Sequence, residues 1–269
     1  MKTPKSHISF SIGMVLLASI GLASLLGPLL SPFQPQEQIA PQENRFAAPS
    51  SNHWFGTDQY GRDVLTRVLA GGRLSLSIAL SVVALSLLLG SLYGAMAAFM
   101  GGIWDRLMMR LVDILLAFPL VFLAVTCMAL FGTGIEYLVI VLAATSWMDI
   151  ARLVRAEVLS LKQQPFVLRA KASGLPASAL VLRHVLPNTA ATVSAIAILR
   201  VADIILIESS LSFLGLGVQP PMASWGAIIH DGRMVLSSAW WISFFPGVAI
   251  VATISSLNLI GSAFKIKPS

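Results

Sequence analysis

Long apolar runs alternate with short polar ones along this chain, and the apolar runs have the lengths a bilayer demands. Six stand out, over about residues 8–30, 74–100, 106–131, 135–155, 188–214 and 240–263. Each is near the ~20 residues needed to cross roughly 30 Å of hydrocarbon as a helix. The second and fifth are long enough to extend beyond the hydrocarbon. The first run follows Lys2 and Lys5 as a signal peptide would, but it is span-length and lacks a convincing small-x-small cleavage site before Pro28. It therefore reads as a retained helix. The pattern predicts an all-α polytopic membrane protein of six transmembrane helices. Residues 1–30 form the first helix, 31–73 an extracytoplasmic loop with a short helix, and 74–269 a core of five more.

The polar stretch between the fourth and fifth runs, about residues 156–187, has a helical reading of its own. Pro165 suits a first turn, because its φ is fixed and it has no N–H to satisfy. Phe166, Val167, Leu168, Arg169, Ala170, Lys171, Ala172 and Ser173 follow as mostly good helix formers, then Gly174 as a C-terminal stop and Pro176 just beyond. A second short amphipathic turn, Ala177 to Leu186, contains Arg183 and His184 and ends at Pro187. A short helix held by chain breakers at both ends is shaped to be gripped by another protein.

The segment 31–73 is too long for a tight turn. Its ordered part is expected over Phe55–Arg67, with Thr57 or Asp58 capping a helix and Arg62, Asp63 and Arg67 at spacings that permit pairing. Two readings stand there: an outer gate or docking surface, or a scaffold that seats the second span. Gly101-Gly102 turns the chain between spans two and three. Phe118-Pro119 predicts a kink in span three, and Asp113 in that span has Arg110 as a candidate partner. At the end of span four, Asp149 and Arg152 share a face, followed by Arg155 and Glu157.

Span five carries Arg200, Asp203 and Glu208. At 100° per residue, Asp203 lies about 60° from Arg200 and Glu208 about 80° to its other side, so all three share one broad face. Ionisable groups at membrane depth face a bundle interior or a water path. Arg200 and Asp203 can neutralise each other, which leaves Glu208 as the candidate for a pathway or a subunit contact. The glycines and prolines of 215–221 then break the helix, and Trp225, Trp240 and Trp241 mark an interface.

Composition sharpens the class. The chain is 56% hydrophobic and only 11% charged, against about 25% in a soluble domain. Its net charge of +6 is explained by basic residues in loops rather than by nucleic acid. Twelve Lys and Arg fall on the side of Lys2, Lys5, Lys265 and Lys267, and five, Arg45, Arg62, Arg67, Arg73 and Arg233, on the other. The positive-inside rule then puts both termini and the 156–187 stretch in the cytoplasm. A single cysteine, Cys127, rules out an intrachain disulfide. No phosphate-binding loop, metal-ligand spacing or catalytic triad stands out, so no enzyme, cofactor or metal site is predicted.

Phe166 to Gly174 followed by Arg183-His184-Val185-Leu186-Pro187-Asn188 resembles the cytoplasmic "EAA" loop of ABC importer permeases. The resemblance is to the second permease of the dipeptide/oligopeptide/nickel group. Phe55-Gly56-Thr57-Asp58 through Gly61-Arg62-Asp63-Val64, Ala151 to Glu157, and Glu208 through Gly217 with Pro220-Pro221 and Ser224-Trp225-Gly226 match the same group. The loop's glutamate is replaced, with Leu168 or Arg169 at its position, and the tail after Gly261 is shortened. The resemblance implies a type I importer permease fold in a bacterial inner membrane and a non-catalytic subunit. Its implied partners are a homologous permease completing the pore, two ATPases that hold ATP and Mg, and an extracytoplasmic solute-binding protein. Residues 166–174, Arg183, His184 and Pro187 would couple to an ATPase. Asp113, Arg200, Asp203 and Glu208 are pathway candidates, and Asp58, Arg62, Asp63, Arg67 and Trp225 outer gate or docking candidates. Peptides are the expected solute, with nickel or metal chelates as the alternative within the class. A stand-alone channel or secondary transporter is the alternative outside it.

Overall fold

The computed structural model describes residues 4–39, 43–175 and 186–263. Nine α-helices run through them: α1 (Pro4–Leu30), α2 (Val64–Met100), α3 (Gly102–Leu116), α4 (Leu120–Phe131), α5 (Ile135–Leu161), α6 (Pro165–Ala172), α7 (Leu186–Phe213), α8 (Trp225–Gly232) and α9 (Trp241–Ala263). A 3-10 turn, Arg233–Val235, follows α8. Among the described residues there is no β-strand; Thr57 and Asp63 make one isolated bridge. Of the turn expected over 177–186, residues 177–185, with Arg183 and His184, lie outside the described residues, as do Lys265 and Lys267.

Among the described residues four helices are long and apolar enough to cross a membrane: α1 from Ile8, α2, α5 and α9. The expected third span is not one helix. α3 and α4 meet at 82° across a break at 117–119, and taken together they make a fifth crossing. The break has a local cause: Pro119 has no N–H to donate and disfavours helical backbone at Phe118. The predicted kink is thus a sharp corner. α7 has the length to span, and it carries Arg200, Asp203 and Glu208.

Packing divides the chain into two compact units that do not follow its linear order. The first comprises Met1–Leu80, Cys127–Val139 and Ile198–Ser269, the second Ser81–Thr126 and Ile140–Ala197.

In the first unit α1 packs along α9, and Gly13 permits a close approach: a Cβ there would meet Ser256 O at 2.8 Å. The segment between α1 and α2 is tied down by aromatic groups. Phe55 stacks on Phe245 at 3.7 Å, and Trp241 Nε1 donates to Thr57 O at 3.1 Å. The helix start predicted at Thr57 or Asp58 lies further on, because Asp63 caps α2. Its Oδ1 accepts from Thr66 N at 2.8 Å, and its Oδ2 sits 2.9 Å from His53 Nδ1. Asp63→Ala removes both partners and is expected to cost about 1–2 kcal/mol, read as a lower unfolding midpoint of the purified chain in detergent. Asp63→Asn keeps an acceptor and should recover most of the loss.

In the second unit, Gly101 and Gly102 at φ 64° and 56° turn α2 into α3, giving the expected hairpin. Ala97, Met109, Val112 and Met148 form a buried cluster, and Tyr93 Oη donates to Met108 O at 3.1 Å. α2 meets α5 backbone to backbone. A Cβ on Gly90 would lie 2.6 Å from Trp147 O, and one on Gly94 would overlap Ala151 O.

Candidate functional site

The 165–172 helix forms where the sequence places it, and its ends follow from local chemistry. Gly174 takes φ +80° with nothing near its missing Cβ, so backbone conformation rather than crowding requires glycine there. Leu175 N reaches back to Ala170 O at 3.4 Å, the six-to-one bond of a Schellman stop.

The faces of α6 are unequal. Val167, 2% exposed, is buried in a cluster with Ala95, Ala98, Ile150, Val154 and Val158, and Ala170 packs against it. Phe166 is 39% exposed, and Arg169, Ala172, Ser173 and Gly174 are exposed too. An anchor at 167 and 170 thus leaves an apolar ring and a guanidinium facing outward, three residues apart and hence neighbours on the surface.

The ground under α6 is braced by charge. Arg155 grips Asp105 with two hydrogen bonds, Nε–Oδ1 at 2.5 Å and Nη2–Oδ2 at 2.6 Å, a fork-to-fork pair that fixes angle as well as distance. Lys162 Nζ donates to Ala98 O at 2.9 Å at the end of α2, where a cation complements the helix dipole. Thr192 Oγ1 donates to Glu157 Oε1 at 3.3 Å, tying α5 to α7. Asp113 pairs with Arg152 at 2.5 Å, so its partner comes from α5 and not from Arg110 in its own helix. Both are about half exposed. Pro187 sits in the first turn of α7, exposed.

In the first unit three of the outer candidates, Asp58, Arg62 and Arg67, converge on one ionic cluster with Asp231. Asp58 accepts from Arg62 Nε at 2.6 Å and from Tyr60 N and Arg62 N. Arg67 Nη2 donates to Asp231 Oδ2 at 3.1 Å, and Arg62 Nη2 reaches the same oxygen at 3.4 Å. Asp58, Arg62, Asp63, Arg67 and Trp225 are all buried, so they offer no open docking face. Arg62 and Arg67 instead line a cavity of ≈ 600 Å³ with Tyr60, Gln219, His230 and Asp231. Trp225 is held from within, its Nε1 donating to Val68 O at 2.9 Å. Burial pushes the Asp231 carboxyl above the usual carboxylate range, against the pull of Arg67 and Arg62.

Glu208 has partners, both in its own helix and beyond it. Its Oε1 accepts from Ser212 at 2.8 Å, and its Oε2 from Ser75 at 3.2 Å and Ser209 at 3.4 Å. Ser75 Oγ in turn accepts from Trp225 N at 3.2 Å. With no exposed surface, Glu208 pins α7 to α2 and to the start of α8 and faces no open path in this conformation. Arg200 and Asp203 lie 3.7 Å apart and are partly exposed.

Sequence reasoning missed Asp231 and missed the Arg155–Asp105 clamp. Both join residues far apart in the chain, and spacing along one helix carries no sign of either.

Residues 86–265 match the family model described as "Binding-protein-dependent transport system inner membrane component". The chain is 37% identical over 254 residues to a dipeptide transport system permease protein of Bacillus subtilis, spanning 94% of this chain and 79% of that one. It is 37% identical over 252 residues to an oligopeptide transport system permease protein of Haemophilus influenzae, at 94% and 81% coverage. It is 40% identical over 259 residues to a putative peptide transport system permease protein of Brucella abortus, at 96% and 86% coverage. With the family model covering well over half of the chain and several apolar helices to cross a bilayer, this protein belongs to the family of inner-membrane permease components of binding-protein-dependent transport systems.

Proposed function

We propose that this chain is one of two permease subunits of an ATP-driven importer of short peptides, each forming half of the pore. In this reading α7 and the α3–α4 pair complete six crossings, with both termini and α6 on the cytoplasmic side. A solute-binding protein delivers peptide to the outer face. Two ATPase subunits below hold ATP and Mg. The observation that carries the reading is the split surface of α6, with Val167 buried among α2 and α5 side chains while Phe166 and Arg169 face outward.

When the ATPases close on nucleotide, they push this outward face. The braces at Arg155–Asp105 and Lys162–Ala98 make α6 and the ends of α2, α3 and α5 move as one body, swinging α5 and α7. The equilibrium shifts only as far as ATP favours one global state over the other. Residues 166–174 make the contact, joined by Arg183, His184 and Pro187. Along the route Arg200, Asp203 and Asp113 are the partly exposed charges. Glu208 holds the outer end of α7 in register, and the Asp58–Arg62–Arg67 cluster, with Asp63 at the α2 cap and Trp225 beside it, is the rigid frame of the outer gate. The chain does no chemistry of its own.

The peptide assignment draws on what the related permeases are named for. Tagging the chain and purifying it from its native membrane tests the assembly: a second permease and two ATPases should accompany it. A chain that runs alone and conducts in liposomes would contradict the reading. Uptake by a deletion strain supplied with dipeptides, oligopeptides or nickel then identifies the solute, and loss of peptide uptake is expected.

A further inference from the structure

The cavity beside α2 and α8 contains a guanidinium with unspent capacity. Arg67 is 2% exposed, and among the described residues its Nε and Nη1 have no hydrogen-bond partner. Nε lies 3.4 Å from Asp58 Oδ2, an ion-pair contact without hydrogen-bond alignment, because Asp58 is already committed to Arg62 and to two backbone N–H groups. A buried donor left unmade costs on the order of 1–3 kcal/mol, so two on one side chain need a reason.

The remaining acid is poorly bound. Asp231 gives a single oxygen to both guanidiniums, at 3.1 and 3.4 Å, long for charge-assisted bonds, which run about 2.7–2.9 Å. Its side chain is 22% exposed, whereas those of Arg62 and Arg67 are at 8% and 2%, so it occupies the open side of the pair. Its carboxyl is also pushed up by burial. With Arg62 and Arg67 it lines a cavity of ≈ 600 Å³ that Tyr60, Gln219 and the Pro220-Pro221 turn complete, large enough for a small organic acid. Two guanidiniums suit a two-oxygen carboxylate better than they suit one oxygen of Asp231.

We infer that this cavity is a binding site for the carboxylate of a small free solute, which displaces Asp231 from Arg62 and Arg67. Asp231 is then a built-in occupant that an incoming acid must outcompete, and removing its charge strengthens binding. The site is separate from the α6 assignment and stands or falls without it.

The test is calorimetric titration of the full chain in lipid nanodiscs with N-acetylalanine and with its neutral amide. Saturable binding of the acid and none of the amide is expected. Asp231→Asn should bind the acid at least tenfold more tightly, and Arg67→Gln should abolish binding. Because Arg67→Gln can also unsettle the fold, the Asp231→Asn gain decides the matter. Acid and amide binding alike, or Asp231→Asn binding the acid no better than the parent chain, would overturn the inference.

Discussion

Replacing Gly94 with valine is expected to destabilise the second unit by roughly 3 kcal/mol or more, since over-packing a tight contact costs about 1–3 kcal/mol and backbone cannot yield as a side chain can. A Cβ at 94 would overlap Ala151 O and lie 3.0 Å from Ala151 C. Gly90, one turn away, meets Trp147 O and Ile150 in the same way. Two glycines four residues apart let α2 and α5 touch along their backbones, the small-x-x-x-small geometry of membrane helix pairs. The consequence reaches α6, whose anchor Val167 packs among Ala95, Ala98, Ile150 and Val154 from those two helices. The readouts are the unfolding midpoint of the purified chain and its level in the membrane, and both should fall. Gly94→Ala should fall less, in the same direction. Gly247→Ala in α9, where nothing lies within 4 Å of the added Cβ, is the control and should match the parent.

Gly174→Pro is expected to abolish coupling while leaving insertion intact. Proline holds φ near −65°, and position 174 needs +80°, so the chain cannot leave α6 along its present path. Gly174→Ala separates this from a general intolerance. Alanine pays the left-handed penalty of about 1–2 kcal/mol and meets open space, so transport should persist at a reduced level. In proteoliposomes with the partner subunits, uptake by Gly174→Pro should drop at least tenfold while ATP hydrolysis continues. Uptake at the parent rate would remove α6 from the mechanism.

Much of this was legible in the sequence. Apolar run length located α1, α2, α5 and α9, and Pro165 with Gly174 bracketed α6, because helix starts and stops are set by a few residues nearby. Phe118-Pro119 announced a break, yet its angle depends on how α3 and α4 pack, and 82° cannot be read from two residues. The cap of α2 went to Asp63 rather than Thr57 or Asp58 for a similar reason. Thr57 bridges Asp63 and bonds to Asn44, and Asp58 is held by Arg62 and Arg67. Long-range partners were out of reach: Asp113 found Arg152, Glu208 found Ser75, and the arginines at 62 and 67 found Asp231. The small-residue face at Gly90 and Gly94 has a readable spacing, but the apolar run around it looks the same whether it meets lipid or another helix.

In the proposed mechanism the outward face of α6 meets an ATPase. A photo-reactive phenylalanine analogue at Phe166, which is 39% exposed, tests it in the assembled transporter. Irradiation should yield a covalent product with an ATPase subunit, in an amount that changes when ATP is added. Products formed only with lipid or with the solute-binding protein would contradict the account.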